Sequence, residues 1–308
     1  MKVVTYNIRF GVGLDQCCDL ERIVREVQGA DIIGLQEVER FWRRTGMVDQ
    51  PRVLGELLEE YYWSYCPAVD LDASTKGEDG VVSNRRRQFG PMLLSRWPIL
   101  SARPWMLPHL GAVHLFSMNT GALEAVIDTP VGTLRVYSLH LSSISTRERL
   151  MQIDALLEMH QLAEPFSNPM MTAGTNGPQY PGEAEQCNRM DWNNGEPPLP
   201  VPFHSIFMGD FNCTEDSREY TRFLGEADPI YGRGIHPRSL VDSWSVARET
   251  LGEPTSWWPD PPDRLPGHPL RLDYCFVNTE LAPKVKRCWV DVEAAGSDHK
   301  PYWVEFDE

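Results

Sequence analysis

The sequence predicts an α/β fold, α+β in detail, whose sheets mix parallel and antiparallel strands. Three observations carry this. Val3 to Ile8, a helix beginning at Leu20 and the run Ile32-Ile33-Gly34-Leu35 make a strand–helix–strand unit, the mark of a layered α/β domain. Ala122 to Asp128 and Thr133 to Leu139 flank Thr129-Pro130-Val131-Gly132, a turn that makes them a hairpin. The apolar run Ser205-Ile206-Phe207-Met208 leads into a helix near Ser217 to Glu226, a further βα unit. With 308 residues, 42% of them hydrophobic, the chain can bury a sizeable core and is long enough for one large α/β domain or two small ones.

Taken in order, Val3 to Ile8 carries Asn7 near its end. Asp19 caps the first helix, Leu20, Ile23, Val24 and Val27 fall at helical spacing, and Gly29 closes it. Glu37 stands at the exit of the Ile32–Leu35 strand. A second amphipathic helix runs near Gln50 to Glu60, with Val53, Leu54, Leu57 and Leu58 on the face expected to meet the sheet. Residues 70–90 are polar, hold Gly77, Gly80 and Arg85-Arg86-Arg87, and read as a loop. Met92-Leu93-Leu94-Ser95 is a strand ending at Arg96-Trp97-Pro98. The hairpin delivers His140, and Ser145-Thr146-Arg147-Glu148 is a capping box opening a helix with Leu150, Ile153, Leu156 and Leu157 inward.

Residues 168–202 are rich in Pro, Gly and Asn and lack periodicity. They read as a surface loop insertion, because strands continue beyond them. The helix near Ser217 to Glu226 turns Tyr220, Phe223 and Leu224 inward. Leu240 to Trp244 is strand-like, and Thr255 to Pro269 is a Pro-rich loop holding Trp257-Trp258. Arg271 to Val277, Val285 to Val292 and Tyr302 to Phe306 are the closing strands.

Lys and Arg total 29 against 44 Asp and Glu, a net charge of -15. Such a chain repels polyanions at long range. That argues against coating nucleic acid through a basic surface, yet leaves room for a nuclease whose carboxylates hold a cation. Seven cysteines, an odd number without CxxC pairs, argue against a disulfide framework and a structural zinc site. The chain opens directly on a strand, and no apolar run reaches membrane-spanning length. The expectation is a reduced, cytoplasmic protein with no stable membrane insertion and no obligate protein partner evident.

The stretch with most chemistry in it is Gly209-Asp210-Phe211-Asn212. If the backbone is still extended there, Asp210 and Asn212 point one way and Phe211 the other. A plain strand-to-loop turn with an Asx cap is the alternative. The polar residues at strand ends, in order, are Asn7, Glu37, His140, Asp210, Asn212, Asp273, Asp298 and His299. Carboxylates, carboxamides and histidines in this mixture suit an oxygen-coordinated Mg2+ or Mn2+ with acid–base help, not the His/Cys set that zinc prefers. Each residue also has a plainer reading. Asn7 could cap a turn, Glu37 could be a solvated strand end, His140 a satisfied core histidine, and Asp273 a structural acid paired with Arg271. Arg147 could reach a phosphate or sit solvated in its first helical turn. Arg85, Arg86 and Arg87 could guide a polyanion or line a solvated loop. Trp192 and Trp257-Trp258 could stack on a ligand or pack. Cys213 and Cys275 are expected to pack.

Seven segments together resemble the endonuclease/exonuclease/phosphatase superfamily. They are Thr5-Tyr6-Asn7-Ile8-Arg9, Leu35-Gln36-Glu37-Val38, Leu93-Leu94-Ser95-Arg96-Trp97-Pro98-Ile99, Ser138-Leu139-His140-Leu141, Gly209-Asp210-Phe211-Asn212, Arg271-Leu272-Asp273-Tyr274 and Ser297-Asp298-His299-Lys300-Pro301. The resemblance spans residues 5–301 and implies a single domain over residues 1–308, a four-layer sandwich of two packed mixed sheets flanked by helices. It implies that Asn7, Glu37 and Asp298 form the Mg2+ or Mn2+ site. It implies that Asp210 orients or deprotonates the attacking water and that Asn212 holds phosphate or metal. Asp273 would fix the tautomer of His299, and His140 would serve the phosphate side. The chemistry implied is in-line attack of water on phosphorus. A phosphodiesterase or nuclease-like enzyme is the first expectation, with nucleic acid among the phosphoester substrates. A phosphatase or phosphodiesterase for a small or lipid phosphate, of inositol phosphate or sphingomyelin type, is the alternative, and a catalytically inactive binding module the remaining one. Specificity is expected from loops 70–90, 168–202 and 255–269.

Overall fold

In the computed structural model, residues 1–111, 113–114, 116–163, 199–260 and 267–307 are described. In chain order, β1 spans Lys2–Asn7, α1 Leu20–Glu26, β2 Ile32–Arg40, α2 Gln50–Leu57, β3 Tyr62–Tyr65 and β4 Val69–Asp72. Then come β5 Thr75–Lys76, β6 Val82–Ser83, β7 Arg86–Ser95, β8 Ile99–Met106, β9 Gly121–Thr129, β10 Gly132–His140 and α3 Thr146–Gln161. Beyond residue 199 follow β11 Ser205–Asp210, α4 Arg218–Leu224, β12 Ala227–Asp228, β13 Gly232–Arg233, β14 Leu240–Asp242 and α5 Ser243–Val246. The chain closes through β15 Glu249–Leu251, β16 Asp273–Asn278, β17 Val285–Val290 and β18 Tyr302–Phe306.

One sheet has the order β15-β17-β18-β1-β2-β7-β3, with β4 also on β7, and the other β14-β16-β11-β10-β9-β8. The pairs β1/β2, β10/β11 and β15/β17 are parallel, while neighbours such as β1/β18, β10/β9 and β11/β16 are antiparallel, so both sheets are mixed.

Strand periodicity builds the layers. Val3, Ile32, Leu93, Val136, Ile206, Met208, Cys275 and Val304 meet in one core between the sheets. Their sequence neighbours Val4, Ile33 and Leu94 face outward onto Ile23, Leu20 and Leu54 of α1 and α2. On the other side Tyr137, Phe207, Tyr274 and Phe276 face Ile153, Leu156, Tyr220 and Phe223 of α3 and α4. Successive residues of these strands are therefore buried on opposite faces, which explains the near-continuous apolar runs. Helix, sheet, sheet, helix is the four-layer arrangement expected.

The Asp19 cap is as read, and the Ser145 and Ser217 side chains likewise accept from the backbone N–H three residues on, while Glu148 of the expected capping box accepts instead from Leu110 N–H at 3.0 Å. Three expectations need correction, and one strand carries no clear sequence signal. Residues 70–90 are not a loop, because β4 pairs with the start of β7 and β5 with β6; their polarity reflects a hairpin exposed beyond the sheet. β8 went unread, since Ile99–Met106 packs only partly and is interrupted by Pro104. Leu57 of α2 is exposed while Leu54 and Leu58 are buried. The run from Leu240 is strand only to Asp242, which then caps α5. The proposed insertion lies outside the described residues from 168 to 198. No helix among the described residues is long and apolar enough to cross a membrane.

Candidate active site

Strand register assembles the site. In the second sheet, His140 pairs with Asp210 and Asp210 with Asp273, so three neighbouring strands put three functional side chains in a row. β16 runs antiparallel to β11, so Asp273 at its start lies beside Asp210 at the other's end. In the facing sheet, parallel β1 and β2 bring Asn7 next to Gln36 and Glu37. Gln36 is fully buried and joins the layers: its Nε2 donates to Ser138 Oγ at 3.0 Å and to Thr5 Oγ1 at 3.1 Å. This polar bridge holds the two strand ends together beneath the site.

Local backbone irregularities aim the side chains. Glu37 has φ +60° within a β-bulge between Leu35 and Val38, so it departs from the strand's alternation and reaches the pocket, while Gln36 stays between the sheets. Gly209 is required by close approach, since a Cβ there would lie 1.9 Å from the Leu139 carbonyl oxygen. Asn212 has φ +50°, and its N–H donates to Asp210 Oδ1 at 2.9 Å. An Asx turn therefore brings Asp210 and Asn212 to one pocket, not continued strand periodicity. Asn212 Nδ2 donates to the Leu141 carbonyl at 3.0 Å. Phe211 points away, edge-on to Phe276 and Phe223 in the core.

Asp210 Oδ2 is the point of convergence. Asn7 Nδ2 donates to it at 2.9 Å, His140 Nε2 lies 3.5 Å away, and His299 Nε2 3.6 Å. Asn7 Nδ2 also reaches Glu37 Oε1 at 3.2 Å, and His140 Nε2 is 4.0 Å from that oxygen. His299 Nδ1 sits 2.7 Å from Asp273 Oδ2. Burial opposes a charge on His299, but the carboxylates of Asp273 and Asp210 outweigh it and raise the imidazole to about 10. Asp298 accepts from Trp257 Nε1 at 3.3 Å and lies 4.0 Å from Arg9 Nε.

A pocket of about 450 Å3 opens above these groups, lined by Glu37, His140, Asp210, Asn212, Asp298 and His299. Asn7 and Asp273 lie behind that lining and contact it through Asp210 and His299. The eight polar residues read at strand ends thus fall in one place. Asp273 pairs with His299, and Arg271 pairs with Asp242 instead of Asp273. Arg147 is exposed, whereas Arg149 lines the pocket and is tied to buried Glu219 and the Ser142 carbonyl. Cys213 and Cys275 are buried in the cores, as expected. Trp192 lies outside the described residues.

Ser256 joins Arg149 among the contributors without a sequence signal, and Trp257, one of the aromatics named from the sequence, packs at the site. Ser256 is buried, and its Oγ accepts from the N–H groups of Leu272 and Asp273, fixing the start of β16. Trp257 bridges to His299 and Leu270 through its backbone and to Asp298 through its ring. Both sit in an irregular loop with no periodic signal; only the paired tryptophans marked it.

Residues 4–299 match the model of the Endonuclease/Exonuclease/phosphatase family. Similar solved structures include an endonuclease/exonuclease/phosphatase family protein from Leptotrichia buccalis, 18% identical with TM-score 0.59 and 100% of each chain covered. Another is a mannosyl-6-phosphatase from Bacteroides thetaiotaomicron, 17% identical with TM-score 0.58 and 100% of each chain covered. A third is a 3′ phosphatase from Neisseria bound to product DNA hairpin, 15% identical with TM-score 0.55 and 100% of each chain covered. At these identities the likeness is one of fold. No match is found among curated proteins.

Proposed function

The chain belongs to the endonuclease/exonuclease/phosphatase family, and from that premise we propose that it hydrolyses phosphoester bonds with a bound Mg2+ or Mn2+, as a phosphodiesterase of nuclease-like type. The observation that carries this reading is the convergence of Asn7, His140 and His299 on Asp210 Oδ2 beside the pocket.

The donor set fits a hard cation: Glu37 and Asp298 offer carboxylate oxygens to one pocket, and Asn7 stands beside Glu37. These three residues would hold the cation, Asn7 through its amide oxygen, which accepts from Arg9 N–H at 3.0 Å. When bound, the cation would neutralise charge on the phosphoryl oxygens and orient the scissile group. Asp210 would hold the attacking water and take its proton. Asn212 would hold the phosphate. Asp273 keeps a proton on His299, so that Nε2–H can be donated to a phosphoryl oxygen, and His140 would protonate the leaving oxygen. The Asp210–Asp273–His299 cluster is best read as a hydrogen-bonded relay, because Nδ1 of the imidazole is already committed. All these groups come from one chain, and no protein partner is invoked. The cytoplasmic setting is part of the same reading, supported by free thiols at the six described cysteines.

The second reading is a phosphomonoesterase for a small phosphate, and it rests on the pocket's apolar wall of Met118, Leu270 and Leu272. It is supported by the similar structures named as a mannosyl-6-phosphatase and a 3′ phosphatase.

Hydrolysis of bis(p-nitrophenyl) phosphate with Mg2+ or Mn2+ tests the proposal. Chelation should abolish turnover, and Asp210→Asn or His299→Gln should reduce it by roughly 10²-fold or more. Absence of turnover on diesters and monoesters alike, with either cation, would overturn it.

A further inference from the structure

Next to the pocket, arginines and aromatic rings alternate on one surface. Phe10 lines the pocket, and the Arg44 guanidinium lies 4.1 Å from its ring centre. The same guanidinium is 4.5 Å from the Trp42 ring, Arg87 is 5.6 Å from that ring, and Arg85 is 4.8 Å from the Phe41 ring. Two segments distant in sequence, 41–44 after β2 and 85–87 at the start of β7, thus form one shelf leading to the site. Gln50 fastens its near end, donating to the Phe10 carbonyl at 2.6 Å and accepting from Glu39 N–H at 3.0 Å.

The shelf carries a surplus of positive charge. Glu39 neutralises Arg44, Asp49 neutralises Arg40 and Asp70 neutralises Arg86. Arg43, Arg85 and Arg87 have no carboxylate partner among the described residues, and Arg87 Nε donates to the Phe41 carbonyl at 3.3 Å. Arg43 and Arg85 are exposed. This surplus stands on a chain of net charge -15.

We propose that the shelf binds single-stranded nucleic acid and feeds it into the pocket, with phosphates on Arg85, Arg87 and Arg43 and bases on the rings of Phe41, Trp42 and Phe10. Unpaired bases offer π-faces to aromatic rings and to stacked guanidinium planes, and the backbone supplies anions at the arginines' open edges. A duplex keeps its base faces closed, and an anionic lipid surface has no use for the rings' stacking geometry. That the bound strand is also the substrate rests on the phosphoester-hydrolase reading above; binding is measured apart from it.

The test uses the Asp210→Asn protein and fluorescein-labelled oligothymidylate, followed by anisotropy across a salt series. Replacing both Arg85 and Arg87 by Gln should weaken binding by roughly tenfold or more and lower the slope of log K against log salt by about 1.4, two phosphate contacts at roughly 0.7 each. The matched duplex should bind less tightly than the single strand. A thermal melt of the double variant confirms that it is folded. Equal affinity and slope in both proteins overturn the proposal, as does binding only to phosphatidylserine vesicles. If the unaltered enzyme turns over a small diester while oligonucleotide binding ignores the arginines, the shelf falls and the hydrolase reading stands. If binding follows the arginines but no phosphoester is cleaved, the hydrolase reading falls and the shelf stands.

Discussion

His299 Nδ1 lies 2.7 Å from Asp273 Oδ2, with both residues buried, Asp273 at the start of β16 in one sheet and His299 just before β18 of the other. Tertiary packing alone makes this contact, and it leaves Nε2 of the imidazole facing Asp210 at 3.6 Å. Asp273→Asn removes the carboxylate that holds the proton on the ring. Turnover is expected to fall by roughly 10²-fold or more, with divalent-cation affinity kept. Steady-state kinetics beside a calorimetric cation titration check this; lost cation binding would assign Asp273 to the coordination sphere instead.

Glu37 keeps 19% of its side chain exposed and packs little core. Glu37→Gln should therefore leave the apoprotein's melting temperature nearly unchanged. The stabilisation that added Mg2+ gives by mass action should shrink or vanish in the variant. Differential scanning fluorimetry with and without cation reads both quantities; an apoprotein that melts far lower while still responding fully to Mg2+ would refute the ligand role.

Gly209 has no room for a side chain against the Leu139 carbonyl. Gly209→Ala must push β11 from β10, at a cost of about 1–3 kcal/mol, and should carry Asp210 away from His140. Urea unfolding and turnover are expected to fall together; a variant of undiminished stability would show that the strands accommodate the methyl group.

Arg271 is buried and makes a two-pronged ion pair with Asp242, both bonds 2.8 Å, and Asp242 also accepts from Tyr220 OH at 2.8 Å. Asp242→Ala would strand a buried guanidinium beside only a half-exposed Glu215. The expected loss is about 3 kcal/mol or more in urea unfolding. A loss under about 1 kcal/mol would mean that the pair contributes no more than a surface bridge.

His160 is buried, edge-on to Phe207 at 5.4 Å, and burial holds its imidazole down at about 4. The unfolded chain, titrating near 6.5, takes up the proton first. Its contribution is thus complete above about pH 6.5 and is lost as pH falls toward 4. Between pH 7 and pH 5 the wild-type protein should lose about 2 kcal/mol more stability than His160→Gln. Parallel pH dependences for the two proteins would contradict this.

Much of the fold was legible because these strands are buried on both faces. Ile206-Phe207-Met208 and Tyr274-Cys275-Phe276-Val277 are apolar without interruption, and turn residues bound them. Where a strand lies exposed, as from Val69 to Arg87, polar composition hides the pairing and the residues read as a loop. Arg149 was passed over for Arg147 because spacing along a helix does not say which side meets a cleft built by other strands. The Asx turn at Asn212 and the bulge at Glu37 also left no periodic trace, since each is a single departure from extended geometry.

The sequence by itself determined which groups the protein can bring to bear, and in what order: acids, amides and histidines at the ends of apolar runs, in the mixed sheets those runs build, with the four layers implied by the family resemblance of the motifs. Only the tertiary structure decided that Asp210 is where they meet, that Asp273 serves His299 while Arg271 goes to Asp242, and that Arg85 and Arg87 lie over the rings of Phe41 and Trp42. The physical reason is range. Propensity, capping and alternation act over a few neighbouring residues, whereas these contacts join strands and loops brought together by sheet register and by the burial of two facing sheets.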